Sequence, residues 1–318
     1  MFERGVFTLS FDLELAWGEF YRDVRGRVDG ERLLRAREAM RPLLGLLATY
    51  QLSATFAVVG HLALADCPGH ESDPRPTYAF GPPDWYGAHP PGGENKAPEW
   101  YGRSLVAAIA AARPQHDIGA HGYTHAPLDA AGAGPAFARH EFAASARALR
   151  AVGAEPVSFV FPRNGISYLE MLTEQGFKCY RAPDAQLASG TPRPLRSAGH
   201  LLAQTLALAP RTGLAEDDRG LGRLPSSMLF LSREGWRRAL PMTARVSRAL
   251  KGLARARKER RVFHLWLHCE DLVPDTGRML DGLAEVLQRA ETDARAGSLE
   301  VLNMAALAAR MDRCASSA

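Results

Sequence analysis

Short apolar runs alternate with longer helix-patterned stretches along most of the 318-residue chain, and this alternation restricts the fold more than any other feature. Strands are predicted at Val6–Asp12, Ala54–Val59, Asp117–Ala120, Val157–Phe161, Cys179–Arg181, Leu229–Leu231, Val262–His268 and Leu299–Leu302. Helices are predicted over Glu31–Tyr50, Arg103–Arg113, Ala136–Val152, Tyr168–Gln175, Gly235–Glu259 and Gly277–Ala296. Strand followed by helix, repeated, is the βαβ unit of a parallel sheet, and seven or eight repeats favour an α/β barrel over an open sheet. One stretch breaks the rhythm. Residues 66–102 are rich in Pro, Gly and aromatics, with Trp85, Tyr86, Trp100 and Tyr101 among them. A loop of that length is a lid or binding loop, or else disordered, and its aromatics favour an ordered lid. No linker or repeat divides the chain, so residues 1–318 read as one domain with an insertion at 66–102.

Within the first strand the residues sort by parity. Thr8, Ser10, Asp12 and Glu14 share one face, and Phe7, Leu9, Phe11 and Leu13 the other. Two acids at one strand end repel each other unless a cation intervenes. His121-Gly-Tyr-Thr-His125 follows the strand at Asp117–Ala120; on a helix, its i, i+4 spacing would put both imidazoles on one face. Gly122 after His121 excludes the HExxH zinc-protease pattern. Alone, two such histidines read as surface residues; beside Asp12 and Glu14 they read as metal ligands. Arg163, in Phe161-Pro-Arg-Asn-Gly165, follows another apolar strand and points either into the site or into a structural ion pair. By parity Val262, His264, Trp266 and His268 share a face of the late strand, with His268 at its end; two histidines and a tryptophan together are unusual for packing alone, with a satisfied core histidine as the alternative for His264.

These segments, in this order, resemble the motifs of the polysaccharide deacetylase superfamily (NodB homology, carbohydrate esterase family 4). SFDLE stands where the family has a TFDD-like motif, HGYTH for its H-S/T-x-x-H, FPRNG for an RxPxG-like motif and LWLH for its Leu-x-His. The resemblance spans about residues 6 to 268. It implies a distorted (β/α)7-type barrel and metal-dependent hydrolysis of an N-acetyl or related amide on a sugar. One departure stands out: Leu13 occupies the position of the family's metal-binding Asp, so the ligand role passes to Glu14 in a D-x-E variant. The resemblance then assigns Glu14, His121 and His125 to a divalent metal, zinc first and Co2+, Mn2+ or Ni2+ as alternatives. Asp12 is the implied general base, Arg163 orients it, and His268 protonates the leaving amine. Trp85, Trp100, Tyr101, His264 and Trp266 are candidate substrate contacts, and Leu224–Ser227 a candidate pocket wall. Lid aromatics that merely anchor the loop are an equal alternative.

Composition bounds the rest. Hydrophobic residues make up 46% and charged residues 23% of the chain, an ordinary globular balance, and the net charge is only +4. No basic cluster is interleaved with aromatics, which argues against a nucleic-acid partner. Lys251–Arg261 reads as a solvated helix face or, alternatively, a peripheral contact with an anionic membrane. Cys67, Cys179, Cys269 and Cys314 show no metal-binding or disulfide spacing, and no leader or spanning segment is evident, so a cytoplasmic location is expected. The leading reading is removal of an acyl group from a sugar or sugar-linked intermediate of glycan biosynthesis. Two others remain: hydrolysis of a small non-sugar amide or cyclic ureide, and a catalytically inactive sugar-binding relative.

Overall fold

A computed structural model describes residues 2–67, 69–183 and 207–316. The strands are β1 (Gly5–Leu13), β2 (Thr55–Val58), β3 (Asp117–Ala120), β4 (Ser158–Val160), β5 (Cys179–Ala182), β6 (Glu216–Asp218), β7 (Leu221–Pro225), β8 (Met228–Leu229), β9 (Val262–His268) and β10 (Leu299–Val301). They form one sheet in the order β6-β7-β5-β4-β3-β2-β1-β9-β8, with β10 added beside β1. Every pairing is parallel except that of β6 with β7. The α-helices are α1 (Gly30–Thr49), α2 (Arg103–Ala111), α3 (Pro135–Arg150), α4 (Leu169–Glu174), α5 (Met242–Glu259), α6 (Thr276–Arg295) and α7 (Met304–Ser316).

The corner between β7 and β8 draws the two ends of the sheet together. Ser226 N donates to Ala182 O of β5, and Ser227 N donates to His264 O of β9, each at 2.9 Å. The result is the distorted (β/α) barrel expected of the chain. The predicted pocket wall at Leu224–Ser227 is therefore a seam: Leu224 is fully buried, and the two serines knit strands.

Parity in β1 sets the layers. Phe7, Leu9, Phe11 and Leu13 are at most 1% exposed and join the large cluster formed with the surrounding helices. Each such burial contributes about 1.5–3 kcal/mol. Val6 instead joins Ala57, Val160, Cys179, Leu224 and Val262 in a second cluster with Met304 and Leu307 of α7. Helix α7 closes that end of the barrel: Met304 N donates to Thr55 Oγ1, and Ala305 N to the buried Asp117 carboxylate. Above this apolar floor the inward residues of β1, β5 and β9 turn polar, and the polar column leads to the strand ends.

Several elements depart from the sequence expectation. The helix expected from Gly235 begins only at Met242, because Pro241 breaks the pattern; Gly235–Ala239 forms a 3-10 turn. The β6–β7 hairpin and α7 were not anticipated: the hairpin strands are short and charged, and α7 follows β10 at the end of the alternating pattern although Met304–Ser316 is rich in Ala, Leu and Met. His121–His125 is not helical: Gly122 at φ 74° and His125 at φ 58° turn the backbone into a loop, and α3 starts only at Pro135.

Candidate active site

Asp12 lies inside the barrel at the end of β1, in register with His268 of β9, and is 1% exposed. Arg181, from β5, grips it with two parallel bonds, Nη1–Oδ1 at 2.7 Å and Nη2–Oδ2 at 2.6 Å. Burial alone would raise the Asp12 carboxyl; the Arg181 guanidinium outweighs it and holds the group below the usual carboxylate range. Arg181 is itself buried against the face of Trp266, 4.3 Å from the ring centre. Its Nη1 also donates to Ser10 Oγ at 3.1 Å. His264 completes this network. Its Nδ1 faces the Pro225 carbonyl at 3.2 Å and must carry the proton, so Nε2 accepts from Ser10 Oγ at 2.8 Å.

Glu14 stands one residue beyond β1, where the chain enters a 3-10 turn at Leu15–Gly18. Its Oε1 lies 3.0 Å from His121 Nε2 and 3.1 Å from His125 Nε2, and these three groups converge as potential ligands of one ion. Gly18 makes room for that carboxylate, because a Cβ there would overlap Glu14 Oε2. Each histidine is turned to present Nε2. His121 Nδ1 donates to the Val160 carbonyl at 2.7 Å, and His125 Nδ1 faces the Tyr21 hydroxyl at 3.3 Å. Fixing a ring through its outer nitrogen is how proteins aim metal-binding histidines. Burial keeps His125 neutral against the pull of Glu14, and its Nε2 has no hydrogen-bond partner. The donor set fits a divalent cation: one carboxylate and two imidazoles, with fewer than four protein ligands.

The loop carrying both histidines is held by a residue the motifs do not contain. Glu141, fully buried on α3, accepts from Tyr123 N at 2.8 Å, Thr124 N at 3.0 Å and Thr124 Oγ1 at 2.6 Å. Burial pushes its carboxyl up to about 7 despite these bonds. Asp271 plays a similar part for His268. Its Oδ2 accepts from His268 Nδ1 at 2.8 Å, leaving Nε2 facing Glu14 Oε1 at 3.6 Å. Burial opposes a charged His268, but Glu14 and Asp271 outweigh it and push the ring up to about 10. His268 remains a third exposed, so solvent reaches this edge of the site.

The sequence-predicted residues therefore divide. Asp12, Glu14, His121, His125 and His268 converge. Arg163 is not the partner of Asp12: it sits exposed on a left-handed turn, φ 55°, and Arg181 takes its place. Arg181 ends a predicted strand, as Arg163 follows one, and β5 parity alone would have turned it inward. Trp85, Trp100 and Tyr101 are at most 3% exposed, which removes them as stacking surfaces. Trp85 Nε1 donates to Thr124 Oγ1, the Trp100 carbonyl accepts from Trp17 Nε1, and Tyr101 OH donates to the Pro90 carbonyl. Trp85 also stacks on Tyr21, which stacks on His125. They are anchors: Trp85 ties the insertion to the 121–125 loop, Trp100 ties it to the turn after β1, and Tyr101 braces the insertion internally. His264 is fully buried in the Ser10 network, and Trp266 is half-buried under Arg181, so both support Asp12.

Residues 29–182 match the family described as polysaccharide deacetylase. No curated protein matches the chain by sequence. Among solved structures, one named as a polysaccharide deacetylase from Mycobacterium smegmatis aligns with TM-score 0.61 at 17% identity, covering 97% of this chain and 91% of that one. Another so named, from Pseudomonas aeruginosa PAO1, aligns with TM-score 0.59 at 13% identity, over 97% and 92% of the two chains. The Puue allantoinase aligns equally well, TM-score 0.59 at 13% identity over 96% and 90%. Those likenesses concern the fold. The family match runs from just before α1 to the end of β5, a little under half of the chain, and over that region the chain is similar to the polysaccharide deacetylase family.

Proposed function

We propose that this protein is a metal-dependent hydrolase that removes an N-acetyl or related acyl group from a sugar or sugar-linked intermediate of glycan biosynthesis. The observation that carries the reading is the pairing of Asp12 with Arg181 beside the convergent Glu14, His121 and His125. Glu14, His121 and His125 would hold a divalent ion, zinc by donor chemistry, and such an ion polarises an amide carbonyl and acidifies water.

The chain's own groups supply the rest. Asp12 has its two oxygens fixed by Arg181, and Oδ2 lies 3.9 Å from His121 Nε2, so it faces the ligand cluster as the base for an attacking water. Arg181 keeps Asp12 ionised and fixes its plane, the role the motif resemblance gave to Arg163. His268, oriented by Asp271, offers Nε2 toward the same space and delivers a proton to the departing nitrogen. A positioned acid or base of this kind contributes about 10²–10⁴-fold in rate. Retention of all these groups favours an active enzyme over an inactive binding relative. We place the reaction in the cytoplasm; no described helix is long and apolar enough to cross a membrane.

The test is a panel of N-acetylated sugars, sugar nucleotides and one cyclic ureide, assayed for product after chelation and after return of Zn2+, Co2+, Mn2+ or Ni2+. Metal-restored release of a carboxylic acid from a sugar supports the reading. Turnover of the ureide alone would transfer it to small-amide hydrolysis, and no turnover with any metal would overturn it.

A further inference from the structure

We propose that His61, Cys67, His70 and His89 form a second metal site, a closed structural zinc centre that clips the 66–102 insertion to the barrel. Their ligand atoms all lie within 4.8 Å of one another. Tetrahedral zinc with one sulfur and three imidazole nitrogens places sulfur and nitrogen about 3.6 Å apart, from bonds of about 2.3 and 2.05 Å. Cys67 Sγ and His70 Nε2 are 3.3 Å apart. The three imidazole rings surround a common point, with centroids separated by 5.3 Å (His61–His70), 4.8 Å (His61–His89) and 4.8 Å (His70–His89).

Two observations separate this cluster from ordinary core packing. His61 is fully buried, yet neither ring nitrogen has a hydrogen-bond partner, and His89 Nε2 is likewise unpartnered. A buried imidazole left wholly unsatisfied is costly, and one packed against a second with a free inner nitrogen is harder to explain without a ligand. The outer nitrogens of His70 and His89 are already engaged. His70 Nδ1 contacts Asp73 Oδ2 at 2.7 Å, and His89 Nδ1 donates to the Tyr86 carbonyl at 2.9 Å. Each arrangement fixes the ring so that Nε2 faces the cluster, the outer-sphere pattern of bound metals. Trp17, Tyr86 and Tyr101 pack around the rings. Four protein donors in an aromatic shell leave no place for water or substrate, which marks a structural centre.

Its location explains what it would do. His61 lies in the 3-10 turn after β2, and Cys67, His70 and His89 lie in the insertion. Gly60 N and His61 N donate to the Gly122 and Tyr123 carbonyls of the loop bearing His121 and His125. Zinc here would therefore brace the insertion against the loop that holds the site. Binding transfers the Cys67 thiol proton to solvent and forms one Zn–S and three Zn–N bonds, with no change of oxidation state.

Cobalt reconstitution of the metal-free full chain tests this. Two equivalents should bind, with a thiolate-to-cobalt charge-transfer band, because the Glu14 site contains no sulfur. Cys67→Ser should lose the band and one equivalent, whereas Glu14→Ala should keep the band and lose the other, so the two sites fail separately. A wild-type protein without the band, or a band persisting in Cys67→Ser, would overturn the assignment. If Cys67→Ser does not fold, X-ray absorption at the zinc edge of the wild type decides: a sulfur neighbour supports the site, and an all-nitrogen and oxygen shell removes it.

Discussion

Two clusters of ligand-type side chains sit beyond the strand ends, and they are built on opposite plans. Glu14, His121 and His125 supply three donors including a carboxylate, with Asp12, Arg181 and the part-exposed His268 close by. His61, Cys67, His70 and His89 supply four donors without a carboxylate, and none of them is more than 9% exposed. On the roles proposed above, the same imidazole chemistry would serve an incomplete shell beside Asp12 and His268 and a complete one enclosed by aromatic rings. Ligand count and neighbours decide between reaction and bracing. The two are joined through the backbone of Gly60–His61 and the 121–125 loop, so the brace bears on the site without belonging to it.

The sharpest way to separate the two is Asp12→Asn. It removes the base and its pairing charge but none of the three proposed ligands, so bound metal should persist while turnover falls by about 10²–10⁴-fold. Elemental analysis beside the rate measurement checks both halves, and a near-wild-type rate would end Asp12's role as base. Gly18→Ala attacks the other component. The added methyl must displace the Glu14 carboxylate, and metal affinity at that site should fall about 10–100-fold, the range seen when a ligand loses its support. Titration with the apo protein should show one weakened and one unaffected class of cobalt; two unchanged classes would mean Glu14 is not a ligand.

Glu141→Gln probes the connection between the two clusters. The substituted side-chain amide would turn donors toward Tyr123 N, Thr124 N or Thr124 Oγ1, so at least one buried donor loses its acceptor. A loss of about 1–3 kcal/mol in unfolding free energy is expected. Urea denaturation measures it, and a variant as stable as wild type would show that the loop is held chiefly by the insertion.

How far the sequence alone reaches also follows this division. Strands β3 and β9 match their predicted limits because alternation and strand length agree there. Asp12, Glu14, His121, His125 and His268 were visible because short motifs carry them. Arg181 was missed because it belongs to no motif; it could have been found by applying inward parity to β5 as it was to β1. Glu141 was hidden because a lone acid in a helix looks solvated, and only the tertiary fold turns it toward the 121–125 loop. The second cluster was invisible for a related reason: its spacing, 6, 3 and 19 residues between successive ligands, matches no local signature. Its cysteine read as one of four ordinary thiols, and the aromatics of the insertion drew attention to stacking, whereas burial makes them anchors.

The smallest effect concerns the polar column beneath the site. His264 is held neutral: burial first, then the Arg181 charge, lowers its imidazole to about 3 from an ordinary value near 6.5. The unfolded chain therefore takes up a proton between those values that the folded chain refuses. Stability contributed by the neutral ring is complete above pH 6.5 and is lost as pH falls toward 3, at up to about 1.4 kcal/mol per pH unit. Protonation at Nε2 would also turn a donor against Ser10 Oγ and so disturb the hydroxyl that Arg181 uses. Other groups titrate in the same range, so the informative quantity is the difference between wild type and His264→Gln. Urea denaturation at about pH 7 and about pH 5 should show a steeper acid loss for the wild type. Parallel profiles would mean that the ring takes up its proton in the folded protein as readily as in the unfolded chain, with Nε2–H donating to Ser10 Oγ, while Arg181 continues to donate to Ser10 and Asp12.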